Sequence, residues 1–198
     1  MWNIDPTKTA LLVIDMQNDF VLEGAPMEVP AARDAIPNIQ RLIAQARSLN
    51  MPVIYSQHTL LEDSQNSILE ATYNPKLFSV GMRKGTTGVQ VIEDLKPQPQ
   101  DTIIEKYRYD AFHNTLLEPT LKNIRGLNQI DTVIITGTLT EVCCESTARG
   151  AYMRDYKVAF VSDATGGLSN EAQKATEHVI GIFFGRVLST EETLAELG

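Results

Sequence analysis

Three side chains far apart in the chain carry chemistry that none performs alone: Asp15, Lys106 and Cys143. A thiol of ordinary pKa, about 8.5, is mostly protonated at neutral pH, and its thiolate is the reactive form. Cys143 falls where a helix is expected to begin, and the free N–H groups of such an end favour an anion. A nearby Lys106 ammonium would favour it further. Asp15 could take the thiol proton and return it to a leaving amine. Lys106 would hold Asp15 in place and tune it. Together the three describe nucleophilic attack on a carbonyl, which also needs N–H donors for the developing oxyanion. The turn at 137–142 could supply them. Each residue also has a plain structural use. Asp15 could cap a loop, Lys106 could be a solvated charge, and Cys143 could be packing.

The elements that must position them alternate between strand and helix. An apolar run at 10–15 ends in Asp15 and reads as a strand buried on both faces. Apolar spacing predicts a helix over 31–49, with Pro37 placing its true start nearer 36. Residues 52–56 read as a second strand. The stretch 57–82 is polar and weakly periodic; it is expected to form an insertion over the sheet's edge, with a short helix at 67–71. Residues 89–95 are a short strand or turn. Strands are expected at 102–106, ending in Lys106, and at 131–137, 157–161 and 187–188. Helices are expected at 116–124, 143–154 and 170–184, with a terminal turn or two at 191–197. This rhythm predicts an α/β three-layer sandwich around a central, mostly parallel six-stranded sheet. In such sheets ligands gather beyond the carboxyl ends of the strands. Asp15, Lys106 and Cys143 all stand at or just past those ends.

Composition bounds the partners. The chain has 198 residues and a formal charge of −8, so it is repelled by nucleic acid and anionic membrane. No apolar run reaches the length of a membrane span. Residues 1–6 lack the basic and apolar regions of a secretory signal, and a cytoplasmic setting is expected. The two cysteines, Cys143 and Cys144, are adjacent, which strains any bridge between them. At least one is free, as suits a reducing compartment.

Three blocks carry a family likeness: Leu12-Val13-Ile14-Asp15-Met16-Gln17-Asn18-Asp19-Phe20, Lys106-Tyr107-Arg108-Tyr109-Asp110-Ala111-Phe112, and residues 136–149 around Cys143. In these the chain resembles the isochorismatase-like cysteine hydrolases. That family includes nicotinamidases and N-carbamoylsarcosine, ureidoacrylate and biuret hydrolases. The resemblance implies a single isochorismatase-like domain over 1–198. It implies Asp15 as base, Lys106 as its partner and Cys143 as nucleophile, three residues after Thr140. It further implies a cis peptide at Thr138–Leu139 and an oxyanion site made by the N–H groups of Leu139 and Cys143. Cys144 is then packing, and Glu141 a supporting residue of the turn. Many nicotinamidases hold a divalent metal through an Asp-x-His pair. Here His58 stands without that pattern and reads as a loop or pocket residue, so no metal and no cofactor are expected. The segment from Lys106 to Phe112 is similar to that of ureidoacrylate and carbamoylsarcosine hydrolases. The implied reaction is C–N hydrolysis of a small amide or ureido compound through a Cys143 thioester. Phe20, Tyr109 and Phe112 are candidate pocket walls, or else core. Two other readings stay open: vinyl ether hydrolysis of the isochorismatase type, and a scaffold that binds without turnover. Relatives commonly form dimers or tetramers, and a helical face of Gly150, Ala151 and Tyr152 is a candidate contact.

Overall fold

The uninterrupted apolar runs become the centre of the sheet. The computed structural model describes residues 2–62 and 65–198. Strands β1 (Thr9–Ile14) and β4 (Thr132–Thr138) have every residue buried, as strands covered on both faces must. The other strands are β2 (Val53–His58), β3 (Thr102–Lys106), β5 (Lys157–Gly166) and β6 (Arg186–Leu188). All pair in parallel, in the order β3-β2-β1-β4-β5-β6. The helices are α1 (Asn18–Val21), α2 (Pro30–Ser48), α3 (Ile68–Tyr73), α4 (Leu117–Asn123), α5 (Glu145–Tyr152), α6 (Asn170–Phe183) and α7 (Thr190–Leu197).

Alternation along β1 divides the core in two. Leu11 and Val13 join Ala32, Ile39 and Leu42 of α2. Ala10, Leu12 and Ile14 join Leu117, Leu121, Ala148 and Ile180 of α4, α5 and α6. The result is the expected three layers, with the sheet wholly parallel. The chain winds outward from β1 to β3, then returns to lay β4 beside β1. This reversal opens a crevice beyond the carboxyl ends of β1 and β4.

Several boundaries differ from expectation. Helix α2 starts at Pro30, not near 36, and Pro37 lies inside it. Proline at a first helical position loses no hydrogen bond. An earlier start also buries Ala32 and Ala35, which offsets part of the interior proline's cost of about 3 kcal/mol. Strand β5 runs on to Gly166, past the expected end at 161, and its pairing with β4 shifts register between Ile135 and Gly137. The stretch after β2 is not an insertion at the edge. Its Leu60, Ala71, Leu77 and Met82 enter the α2-side core, and it lies across the carboxyl ends of β1 to β3. Asp63 and Ser64 lie outside the described residues. Gly150 and Ala151 do not form an outer contact face. Both are buried within the chain, and a Cβ on Gly150 would meet the Asp110 carboxylate at 2.5 Å. Among the described residues no helix is long and apolar enough to cross a membrane.

One glycine is required by the crossing of β1 and β4. Gly137 has φ +113°, and a Cβ there would lie 2.0 Å from the Ile14 carbonyl oxygen. Both atoms of that clash belong to packed backbone. Gly137→Ala is therefore expected to cost on the order of 3 kcal/mol or more, read as a lower urea midpoint. A midpoint equal to wild type would show that the two strands can part at this place.

Candidate active site

The site is built where three strands stop. β1 ends at Ile14, and Asp15 turns away with φ +48°. Aspartate is among the few residues that enter this left-handed region readily. The turn leaves its carboxylate beside β2, where Ser56 Oγ donates to Oδ1 at 2.6 Å. The Asp15 N–H donates to the same hydroxyl at 3.2 Å. Lys106 ends β3, in register with His58 at the end of β2. Its ammonium lies 2.6 Å from Asp15 Oδ2 and donates to the Arg108 carbonyl at 3.0 Å. It also donates to Cys143 Sγ at 3.6 Å. The three groups predicted from sequence are thus in one place.

Cys143 does not open an ordinary helix. Residues Thr140–Cys144 form a π-helical turn, in which the Cys144 N–H donates to the Leu139 carbonyl five residues back, at 3.0 Å. Helix α5 begins only at Glu145. The peptide between Thr138 and Leu139 is cis. Cys144 points its thiol toward the Thr136 carbonyl, inside the α5-side core. Glu141 accepts from the Leu168 N–H at 2.8 Å, tying the turn to the end of β5.

Burial decides the electrostatics. Asp15, Lys106 and Cys143 expose 0%, 1% and 3% of their surface. Burial works against the Lys106 ammonium, but the Asp15 charge and the Cys143 sulfur outweigh it and hold it charged, above its ordinary value. For Cys143 the balance is the reverse of expectation. Burial pushes the thiol up, Lys106 pulls it down, and the Asp15 carboxylate adds to the rise; the net direction is up. The resting sulfur is a neutral thiol. It can become a nucleophile only as its proton leaves, and Asp15 is the group beside it able to take one.

Asp15, His58 and Cys143 present ligand atoms within 4.8 Å of one another, a spacing that could hold a metal ion. The Lys106 ammonium stands against all three, with His58 Nδ1 at 3.4 Å. The cation these groups surround is the lysine's own, and a second positive charge there would be repelled.

Of the pocket candidates, Tyr109 has its ring centroid 6.1 Å from that of His58 and is partly exposed. Burial, then the nearby Glu70 and Cys143, push its phenol up to about 12, so it is a neutral hydrogen-bond donor. Phe20 packs in the α2-side core, and Phe112 lies against Tyr156 in the other. His58, expected as a loop or pocket residue, ends β2, and Glu70 is a residue that the sequence does not single out. His58 is buried, and its Nε2 lies 3.1 Å from Glu70 Oε2. The available signal was strand position, since His58 and Lys106 end neighbouring strands.

Comparison with known proteins agrees with the fold. The isochorismatase domain model matches residues 9–192. The chain is 32% identical to the ureidoacrylate amidohydrolase of Variovorax paradoxus (strain S110), over 93% of this chain and 79% of that one. A cysteine hydrolase from Pseudomonas syringae pv. phaseolicola 1448A superposes with a TM-score of 0.94 at 32% identity, covering 100% of this chain and 95% of that one. The N-carbamoylsarcosine amidase of Thermoplasma acidophilum superposes with a TM-score of 0.79 at 26% identity, covering 93% and 98%. With that domain match over residues 9–192 and that relative, this chain belongs to the isochorismatase family.

Proposed function

We propose that the protein is a cysteine hydrolase that cleaves the C–N bond of a small amide or ureido compound through a thioester on Cys143. The observation that carries this reading is a thiol, a carboxylate and an ammonium in mutual reach inside a buried site. The names of the ureidoacrylate and carbamoylsarcosine relatives support the substrate class. Asp15 takes the Cys143 proton as the sulfur attacks the carbonyl carbon. The N–H groups of Leu139 and Cys143 receive the oxyanion. The C–N bond breaks, and Asp15 passes its proton to the leaving nitrogen. Water then attacks the thioester, giving a proton to Asp15, and the sulfur leaves and recovers that proton. Lys106 neutralises the carboxylate and draws negative charge toward the sulfur. Tyr109 offers a wall and a phenolic donor to the substrate. The same reading takes residues 1–198 as one domain in a reducing, cytoplasmic setting. It also takes the assembly as a homodimer or homotetramer, using exposed apolar residues such as Met153, Ile182 and Phe183.

The test is an ammonia-release screen across small amides, ureides, biuret and nicotinamide. Turnover of at least one ureide or amide is expected, and a strong chelator should leave it within about twofold, since Lys106 occupies the cation position. A blank across the whole panel would refute the substrate class. Loss of rate on chelation, restored by zinc, would refute the metal-free mechanism.

A further inference from the structure

We propose that Glu70 is a positioning residue for the reaction above, acting through His58 to hold the Lys106 ammonium between Asp15 and Cys143. This rests on the proposed function for its kinetic consequence, but its structural core stands without it. The Lys106 ammonium has three protons and no lone pair. His58 Nδ1 faces it at 3.4 Å, beside Asp15 Oδ2 at 2.6 Å, the Arg108 carbonyl at 3.0 Å and Cys143 Sγ at 3.6 Å. Those three protons are matched by Asp15, the Arg108 carbonyl and Cys143, so Nδ1 turns its lone pair rather than a proton to the cation because like charges repel. A proton on both ring nitrogens would set two cations against each other across that gap. The imidazole proton then sits on Nε2, which lies 3.1 Å from Glu70 Oε2 but off the line of its N–H; a small ring or carboxylate rotation would align the two.

Glu70 is held to this task from its own side. The Ser67 hydroxyl donates to the same Oε2 at 2.8 Å. Burial pushes the Glu70 carboxyl up, but the His58 ring, the Ser67 hydroxyl and the Lys106 charge outweigh it, and the group is held below its ordinary value. An ionised carboxylate thus fixes an imidazole, which in turn presents one acceptor to an ammonium. This is the arrangement by which an outer group orients an inner one. Asp15, Lys106, Cys143, Glu70 and Tyr109 are the titratable groups facing His58. Glu70 arrives on α3, in the segment lying across the strand ends. Arg108 Nη1 donates to the Asn66 carbonyl at 2.8 Å and to Ser67 Oγ at 3.0 Å, seating that segment. The pair with His58 exists only while the segment is in place.

Nitrogen NMR of the histidine rings tests this without a substrate. His113 and His178 are the other two histidines, and His58→Asn identifies the signal. Wild-type His58 is expected to carry its proton on Nε2 rather than Nδ1. In Glu70→Ala the ring should populate both tautomers, and kcat on the best screened substrate should fall roughly 10–100-fold, with KM moving far less. Glu70→Gln keeps an acceptor oxygen and should restore both the tautomer and most of kcat. The proposal fails if wild-type His58 is protonated on Nδ1, if Glu70→Ala changes KM alone, or if the two variants lose kcat equally. Should Glu70→Ala not fold, the wild-type spectrum and Glu70→Gln still decide. An amide screen without turnover would sink the proposed reaction while leaving the position of the His58 proton as an independent result.

Discussion

Cys143→Ala is expected to lower turnover by about 10⁴-fold or more, while Cys144→Ala stays within a few-fold of wild type. The reason is the division of labour between two neighbouring thiols. Cys143 receives a hydrogen bond from Lys106 and lies within 4.8 Å of the Asp15 carboxylate. Cys144 faces the Thr136 carbonyl in the core. Losing a nucleophile in a unit of cooperating groups removes nearly all the acceleration that unit supplies. Losing a buried thiol elsewhere costs on the order of 1 kcal/mol of packing. Steady-state ammonia release measures both, and the intact mass of acid-quenched wild type should show an acyl adduct absent from Cys143→Ala. A Cys143→Ala protein that still released ammonia would move the attack from sulfur to water and refute the thioester.

Lys106→Met is expected to destabilise the fold by about 3–5 kcal/mol, the usual cost of leaving a buried carboxylate without its cation. The Asp15 carboxylate would keep the Ser56 hydroxyl but lose the ammonium at 2.6 Å. Asp15→Asn combined with Lys106→Met removes both charges and should recover most of that loss. The pH dependence follows from the direction of the Lys106 shift. Its folded value lies above the ordinary 10.5. The ion's contribution is therefore fully present below about pH 10.5 and is lost only as pH rises through the folded value. Urea titrations of wild type and Lys106→Met should differ by a constant amount through neutral pH and converge only in strong alkali. Equal stabilities at pH 7 would show that the ion pair adds nothing to the stability of the fold.

What could be read in advance followed from how each element is stabilised. β1 and β4 are legible because a strand buried on both faces must be apolar throughout, and such a run has no other soluble use. Asp15 stands out as a charge at the end of one of these runs, and Lys106 as the charge that closes the shorter edge strand β3. The later half of β5 was not legible. Residues Ser162 to Gly166 carry no strand signal and are held by pairing with β4 after a register shift. The widened turn at Thr140–Cys144 was read as ordinary helix, since nothing in side-chain periodicity separates the two over five residues. The thiol's upward shift was missed because helix ends and lysines favour thiolates only where water or space remains, and burial is not visible in a motif. Glu70 was hidden for a different reason. Twelve residues separate it from His58 in a weakly periodic stretch, and their meeting depends on how that whole stretch folds back.

The turn before α5 also gives the chain an unusual kind of vulnerability. In a regular helix each residue rotates the side-chain direction by about 100°. The π-helical corner between Leu139 and Glu145 holds one residue more than such a turn needs. Omitting a single residue there would let the corner relax into regular helix and swing the sulfur out of line. Every side chain named in the reaction would still be present. The aim of the nucleophile is therefore written in the count of residues at this corner as well as in their identity. A chain shortened by one here would keep the scaffold and fall silent.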